Sequence, residues 1–475
     1  MCRALAAVTV LCLLAFSAGA ETYYVDADSG KDPNAGTSPD APWRTIEKAN
    51  SSVQPGDTVF VRAGLYRGEQ VAPARSGTAE ARIAYVACEG ETPHVTGGKD
   101  GALVSLVDKS YVTVRGFTLR DPDVVGWLVT ISGTGSQHNR IENCDVTSPR
   151  GGGLVVMANG ASYNEVTGCL IHDTGGGNQE SGDGIVMNFG AHHNTASNNR
   201  VYNCCHSQVL LLNDSRLNTV SENDLYATDR AWAGAGVNLV LGAHSNTIVG
   251  NRIHDLAHIT DIKCAIQVNT ADNSIHNNII YNVPGFGISL QSYSFRGMTQ
   301  TAKDNLVANN TVYNTGRQGL TVLSKDDCVS AGNHIVNNIV VGSPRDWYGR
   351  NAWVMVFDTY HLKRQAEPGT WFDNVFENNV FFHKRAGEKN MVLYSHNGPP
   401  VTWSIPELEK AYPQTFKGNR ELAPELAGPE SGDFYLKPGS SLIDSGIDVG
   451  LPYEGKAADI GACPLTSPAQ EGSEN

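Results

Sequence analysis

Residues 245–268 read SNTIVGNRIHDLAHITDIKCAIQV, and the first part of that stretch, NTIVGNRIHD from Asn246 to Asp255, recurs along the chain. The phrase starts again at Asn139 (NRIENCDV), Asn164 (NEVTGCLIHD), Asn194 (NTASNNRVYN), Asn218 (NTVSENDLYA), Asn273 (NSIHNNIIYN), Asn305 (NLVANNTVYN), Asn333 (NHIVNNIVVG) and Asn374 (NVFENNVFFH). The spacing is shortest from Asn194 to Asn218 and longest from Asn333 to Asn374, so each unit has a fixed part and an elastic part. A recurring unit of this size indicates a solenoid, in which each coil buries its apolar face only by stacking on its neighbours.

Two positions after the starting Asn the residue is almost always aliphatic, as at Ile141, Val166, Ile248, Ile275 and Val307. Seven after it the residue is apolar throughout, as at Val146, Ile171, Val201, Ile253, Ile280 and Phe381. Two short strands therefore point inward on either side of a bend. Five after the start stand Asn199, Asn223, Asn251, Asn278, Asn310, Asn338 and Asn379. Asn tolerates left-handed backbone, which suits a repeated tight turn, and side chains stacked ~4.8 Å apart can bond one another as a ladder. A third strand follows each elastic part: GIVMN, VLLLN, GVNLVL, AIQVN, GISLQ, GLTVL. The expected fold is all-β, a right-handed parallel β-helix with three strands per coil and one Asn ladder.

These Asn-turn repeats, over roughly residues 100 to 400, resemble those of the pectin-lyase-like superfamily. The opening YYVDADSGKDPNAGTSPDAPWRTIEKANSSVQPGDTVFVRAGLYRGE is similar to the amino-terminal cap of exported bacterial members, a group that includes family 9 pectate lyases. The tail GDFYLKPGSSLIDSGIDVG with ADIGACP is similar to the closing segment of that group. The resemblance implies a substrate cleft walled by the elastic loops and floored by the third strand. The aspartate-rich calcium cluster of family 9 lyases has no counterpart at matching positions. Independently, WRTIEKANSSV after Pro42 is amphipathic and suits a short helix covering the first coil, whose open sheet end would otherwise invite aggregation. The expected organisation is a signal peptide (1–20), a cap with first coils (21–100), β-helix repeats (101–400), a closing segment (401–464) and a tail (465–475).

Residues 1–20, MCRALAAVTVLCLLAFSAGA, join an early Arg3 to an apolar run and to Ala18 and Ala20, the pattern of a secretory signal. No later stretch approaches the ~18 apolar residues that span a bilayer. A formal net charge of −14 disfavours nucleic acid, and it repels an anionic polysaccharide unless a cation or local basic cluster intervenes. The expectation is a secreted monomer, extracellular or periplasmic, with a polysaccharide as partner and neither nucleic acid nor membrane insertion. Beyond the signal, Cys88, Cys144, Cys169, Cys204, Cys205, Cys264, Cys328 and Cys463 match neither a CxxC metal pattern nor a small stapled scaffold.

Subtracting the repeat locates the chemistry. His172 and His254 stand eight after the starting Asn, where other coils carry Tyr202, Tyr226, Tyr281 and Tyr313, so they are expected in an external ring stack. Asp173 and Asp255 alternate with Asn203, Asn282 and Asn314 and are expected to form turns. Cys144 and Cys169 take the ladder site of the first two coils, where a bridge or two buried thiols serve equally. The paired aspartates of KDDCVS (325–330) lack partner motifs, and His192 and His193 lack the company of a zinc site. What remains in the elastic loops is Glu180, Asp183, His206, Asp229, Arg230, Trp232, His258, Asp261, Lys263 and Arg317. On the third strand, the outward positions turn polar at Asn238, Gln267, Asn269, Ser289 and Gln291.

An amide-rich groove walled by Trp232 and charged side chains suits sugar hydroxyls. The expected substrate contacts are Trp232, Asn238, Gln267, Asn269, Ser289, Gln291, Arg317 and His206. The leading chemistry is β-elimination from a uronic acid, with Lys263, or second to it Arg230, as base within a group that includes His258 and Asp261. A neighbouring cation would neutralise the carboxylate. No cofactor is required by the sequence. Calcium is a candidate, and DADSGKDPN has faintly calcium-like acid spacing. Two rivals stand beside this reading: glycoside hydrolysis by two carboxylates among Asp183, Asp229 and Asp261, and a non-catalytic glycan-binding or surface role.

Overall fold

The structure, a computed structural model, describes residues 19–98, 101–123, 126–175, 182–228, 234–256, 263–295, 297–342, 354–362, 371–384, 392–395 and 401–462. Among them each repeat phrase contributes one strand to each of two parallel sheets, and the residues after the elastic part contribute to a third. The first sheet has 14 strands, from Thr22–Val25 to Phe416–Lys417, and the second has 13, from Gly64–Arg67 to Arg420–Glu421. The third, also of 13 strands, starts at Val104–Ser105 and ends with the antiparallel strand Val401–Trp403. In the opening stretch, Thr247–Val249, Arg252–His254 and Cys264–Val268 are the three strands of one coil. Their central residues Ile248, Ile253 and Ile266 are all fully buried.

Two Asn ladders, where one was expected, hold the corners. The starting residues Asn139, Asn164, Asn194 and onward to Asn374 form the first, and Asn199 to Asn419 form the second. In each, the side-chain oxygen of one coil accepts from both the backbone N–H and the amide of the preceding coil, as Asn251 Oδ1 does from Asn223 at 3.1 and 2.9 Å. The left-handed residue is not the ladder Asn but the one before it, as at Asn277 (φ 55°) and Asn309 (φ 54°). The same holds ahead of the first ladder at His193 and Asp272. The division of labour is physical: the left-handed residue turns the chain, and the next side chain then points inward, where it must find partners.

Small residues open the third strands for a similar reason. A Cβ on Gly236 would lie 2.3 Å from Ala265 O and 2.8 Å from Ile253 Cγ2, so the strand can close on the second sheet only with almost nothing there.

At the amino-terminal end, the helix Ile46–Ser52 is capped by Thr45, which accepts from Lys48 N, and buries Ile46, Ala49 and Asn50. A second helix, Ile405–Ala411, sits by the last coil with a capping box between Ser404 and Glu407 and buries Ile405 and Leu408. In the loop of residues 26–34, Asp26 accepts from Asp28 N and Ser29 N while Asp32 accepts from Arg44 N and Thr45 N, so these carboxylates are turned to their own backbone. The chain after the second helix packs Phe434 against Tyr281 and Tyr313, and Arg252 donates to Gly432 O at 3.0 Å. No helix among the described residues is long and apolar enough to cross a membrane.

Candidate functional site

The repeat residues are accounted for by architecture. His172, Tyr202, Tyr226, His254 and Tyr281 stack face to face with ring centroids 4.8 to 5.2 Å apart. Both nitrogens of each histidine are engaged: His172 with Asp173 at 2.8 Å and Asp145 at 3.0 Å, His254 with Asp255 at 2.8 Å and Asp224 at 2.9 Å. Asp173 and Asp255 are left-handed, as turn formers are. Tyr111, His138, Tyr163 and His193 form a second stack, which gives the His192–His193 pair a structural place. Cys144 and Cys169 are two free, buried thiols, the second accepting position of the ladder being taken over by Asn199 Oδ1, which bonds Cys169 N at 3.0 Å.

The third sheet places the remaining residues in order. Register across its strands aligns Asp183, Ser207 and Ala235, and Cys264 with Phe286. Each strand is therefore entered by an equivalent residue, and these make a column along one edge: Gly182, His206, Gly234, Lys263, Gly285, Arg317. Backbone bonds tie it together, His206 N to Gly182 O at 3.1 Å, Phe286 N to Lys263 O at 3.0 Å and Arg317 N to Gly285 O at 3.0 Å. Polar side chains thus alternate with glycines coil by coil. With strands ~4.8 Å apart, successive polar members are ~10 Å apart along the solenoid.

His206 Nδ1 lies 2.8 Å from Asp183 Oδ1, and Asp183 is 7% exposed. Burial pushes the Lys263 ammonium down, opposed by the attraction of Asp183. The Arg317 guanidinium lies over the Phe286 ring, 5.5 Å from its centroid. Next along the strands, the outward residues Asn238, Gln267, Ser289 and Thr321 align in register. Asn238 Nδ2 donates to Ser207 Oγ at 2.8 Å, and Gln291 Nε2 to Ser289 Oγ at 2.8 Å. Asn269 and Ser289 are fully buried, Asn269 donating to the Tyr293 hydroxyl at 2.9 Å and Ser289 covered by Gln291, so neither is open to a substrate as it stands. Asn238 Oδ1 and Asn269 Oδ1 are buried acceptors with no protein donor among the described residues. Glu180, Asp229, Arg230, Trp232, His258 and Asp261 lie outside the described residues.

Among the described residues no group of three metal-ligating side chains converges. One surface concavity of about 410 Å³ lies at the corner of the first two sheets, lined by Arg200, Glu222 and Asp224, away from this floor. The alternation with glycine escaped the sequence reading. Its signal was present: His206 and Lys263 each stand immediately ahead of a third strand, and Arg317 stands three residues ahead of one.

The fold defines the class, a parallel β-helix. Residues 23–210 match the model described as the Pel9A-like right-handed β-helix region, in line with the resemblance of the opening segment. Over 211 residues the chain is 28% identical to a lacto-N-biosidase of Bifidobacterium longum, covering 36% of this chain and 13% of that protein. Among solved structures, a mannuronic-acid-specific family 6 polysaccharide lyase from human gut microbiota superposes with a TM-score of 0.52 at 13% identity, over 81% of this chain and 90% of that one. Pectate lyase Pel9A aligns over 94% of this chain and 96% of its own, with 15% identity and a TM-score of 0.48.

Proposed function

We propose that this protein is an exported, carbohydrate-active enzyme that cleaves a uronic-acid-containing polysaccharide by β-elimination, with Lys263 as the base. The observation that carries the reading is the seat of Lys263: partly buried at the edge of the polar floor and flanked in its column by Gly234 and Gly285, so that neither neighbouring coil sets a side chain beside it. A lysine works as a base only when neutral, and burial, the largest influence on Lys263, favours the neutral amine. The amine takes the proton next to the uronate carboxylate, and a cation beside that carboxylate lowers the barrier to the anion. Arg317, two coils along, is the protein's own candidate for that part, and a calcium ion supplied by the medium is the other. Lyases of uronate polymers among the proteins of similar fold support the substrate class.

Hydrolysis of a neutral glycan is the second reading, favoured by the similarity to a lacto-N-biosidase. Against it, Asp183, one of its three candidate carboxylates, is already bound to His206. Incubation with polygalacturonate, alginate and neutral oligosaccharides separates the two. The expected result is ultraviolet-absorbing unsaturated product that Lys263→Ala abolishes. Reducing ends without that absorbance would overturn elimination in favour of hydrolysis.

A further inference from the structure

Asp183 and His206 belong to adjacent coils and are held together by geometry that the solenoid does not need. At the position of Asp183 other coils carry Gly153, Ser207, Ala235, Cys264 and Phe286, and at the position of His206 they carry Gly182, Gly234 and Gly285 as well as Lys263 and Arg317. A buried carboxylate costs several kcal/mol of desolvation unless it is paired, so a fold that accepts glycine, alanine or phenylalanine here gains nothing in packing from the pair.

The pair also differs from the two stacked histidines. An ionised carboxylate only accepts, so at 2.8 Å the Nδ1 of His206 carries the hydrogen and Nε2 is left to exchange a proton. No described residue bonds that Nε2, and the ring keeps 28% of its side-chain surface exposed. In His172 and His254, by contrast, both nitrogens face carboxylates. From the other side Ser207 Oγ lies 3.2 Å from Nδ1 and accepts from Asn238 at 2.8 Å, which leaves the ring little freedom to turn.

Lys263 stands two coils further along the same edge. Between them is Gly234, where a Cβ would lie 2.0 Å from Cys204 O, so the chain presses on the neighbouring coil there and puts no side chain of its own between the two. The charged and titratable groups that act on Lys263 among the described residues are Asp183, Cys264 and Cys205, so the ammonium senses the carboxylate that holds His206. The two entry positions are two strand spacings, ~10 Å, apart, which matches the span from a sugar ring's C5 hydrogen to its glycosidic oxygen when both side chains reach toward it.

We propose that His206 is a second catalytic residue, the acid that protonates the leaving oxygen, and that Asp183 is its positioning residue. The proposal rests on the elimination reading above. The C5–H bond of the uronate breaks and its proton passes to the neutral Lys263 amine. The electron pair forms the C4–C5 double bond, the C4–O bond breaks, and the departing oxygen takes the proton from Nε2 of the imidazolium. Lysine ends as ammonium and histidine as neutral imidazole, and exchange with water resets both.

The test uses the full chain with polygalacturonate and alginate oligosaccharides in D2O, following C5 proton exchange by NMR and unsaturated product by absorbance. His206→Gln is expected to lower elimination ~100-fold or more while C5 exchange persists. Asp183→Asn is expected to cause a smaller loss of the same kind. A substrate with an aryloxy leaving group at C4, which departs without protonation, should rescue both variants and should not rescue Lys263→Ala. Equal loss of exchange and elimination in His206→Gln, or unchanged elimination, overturns the proposal. Should Lys263→Ala keep both activities, the base assignment fails instead. Nitrogen-15 NMR of the histidines, independent of substrate and paired with a melting curve for each variant, reads the premise: a His206 signal with the hydrogen on Nε2 rather than Nδ1 overturns the assignment.

Discussion

Replacing Asn251 by alanine removes more than a side chain of its size suggests. Its Oδ1 accepts from Asn223 N and Nδ2, and its Nδ2 donates to Asn278 Oδ1, Val220 O and Val249 O, all at 2.9 to 3.1 Å in a fully buried setting. In the variant the backbone N–H of Asn223 loses its partner outright, which costs about 1–3 kcal/mol, and the amide of Asn223 and the carbonyls lose one bond each at about 1 kcal/mol or less. The expected destabilisation is ~3–5 kcal/mol, at the upper end of single substitutions. For a chain of this length that corresponds to a drop of about 5 °C in melting temperature. Urea and thermal denaturation followed by circular dichroism measure it, and Asn278→Ala should behave alike. Asn277→Gly, at the left-handed residue before the ladder, should stay within about 1 kcal/mol, because glycine adopts that backbone freely. An unchanged melting temperature in both ladder variants, or a larger loss in Asn277→Gly, would refute the argument that buried amide pairing holds the corner.

Other outcomes follow from the same geometry. Burial pulls the His172 imidazolium down, but its hydrogen bonds with Asp145 and Asp173 outweigh this and leave its pKa above the usual 6.5. The resulting stabilisation is complete below that value and is lost as pH rises through the folded-state pKa. His172→Phe should therefore lower the melting temperature more at pH 5.5 than at pH 8.5, and equal losses would contradict it. His254→Phe should keep activity on whichever uronate polymer the wild type cleaves, since a ring still fills the stack between Tyr226 and Tyr281. A dead variant would show that the repeat histidines carry chemistry. Arg252→Ala should free residues 429–436 to limited proteolysis, because the guanidinium links Gly432 O to Tyr281, and an unchanged cleavage pattern would assign that anchoring to Phe434 and to the bonds of Glu430 with Tyr313 and Lys384.

The architecture was legible because a solenoid repeats its constraints. Nine occurrences of one phrase separate what the coil requires from what a single coil happens to carry, and the inward positions, the ring stack and the left-handed turn at Asp255 all follow from that comparison. The first Asn ladder is hidden by its own regularity: the starting Asn is the same in every coil, so spacing alone does not separate a repeat marker from a residue paired inside the corner. The carboxy-terminal helix was missed although SIPELEKA carries Ser404, Pro406 and Glu407 at capping-box spacing.

The sequence by itself determined the three-strand coil, the alternation of inward and outward residues on the third strand, and the elastic segments as the place where function can vary. Local periodicity suffices for these, since strand direction and burial repeat every coil. Only the tertiary structure decided which residues meet. Elastic loops of different lengths remove any fixed spacing between Asp183, His206, Lys263 and Arg317, so their neighbourhood cannot be counted along the chain. Strand register decides it. Hydrogen bonding between coils brings the residues that enter each third strand to one edge ~4.8 Å apart, whatever length of loop precedes them. That stacking sets a histidine against a buried carboxylate and a glycine between two side chains able to carry protons.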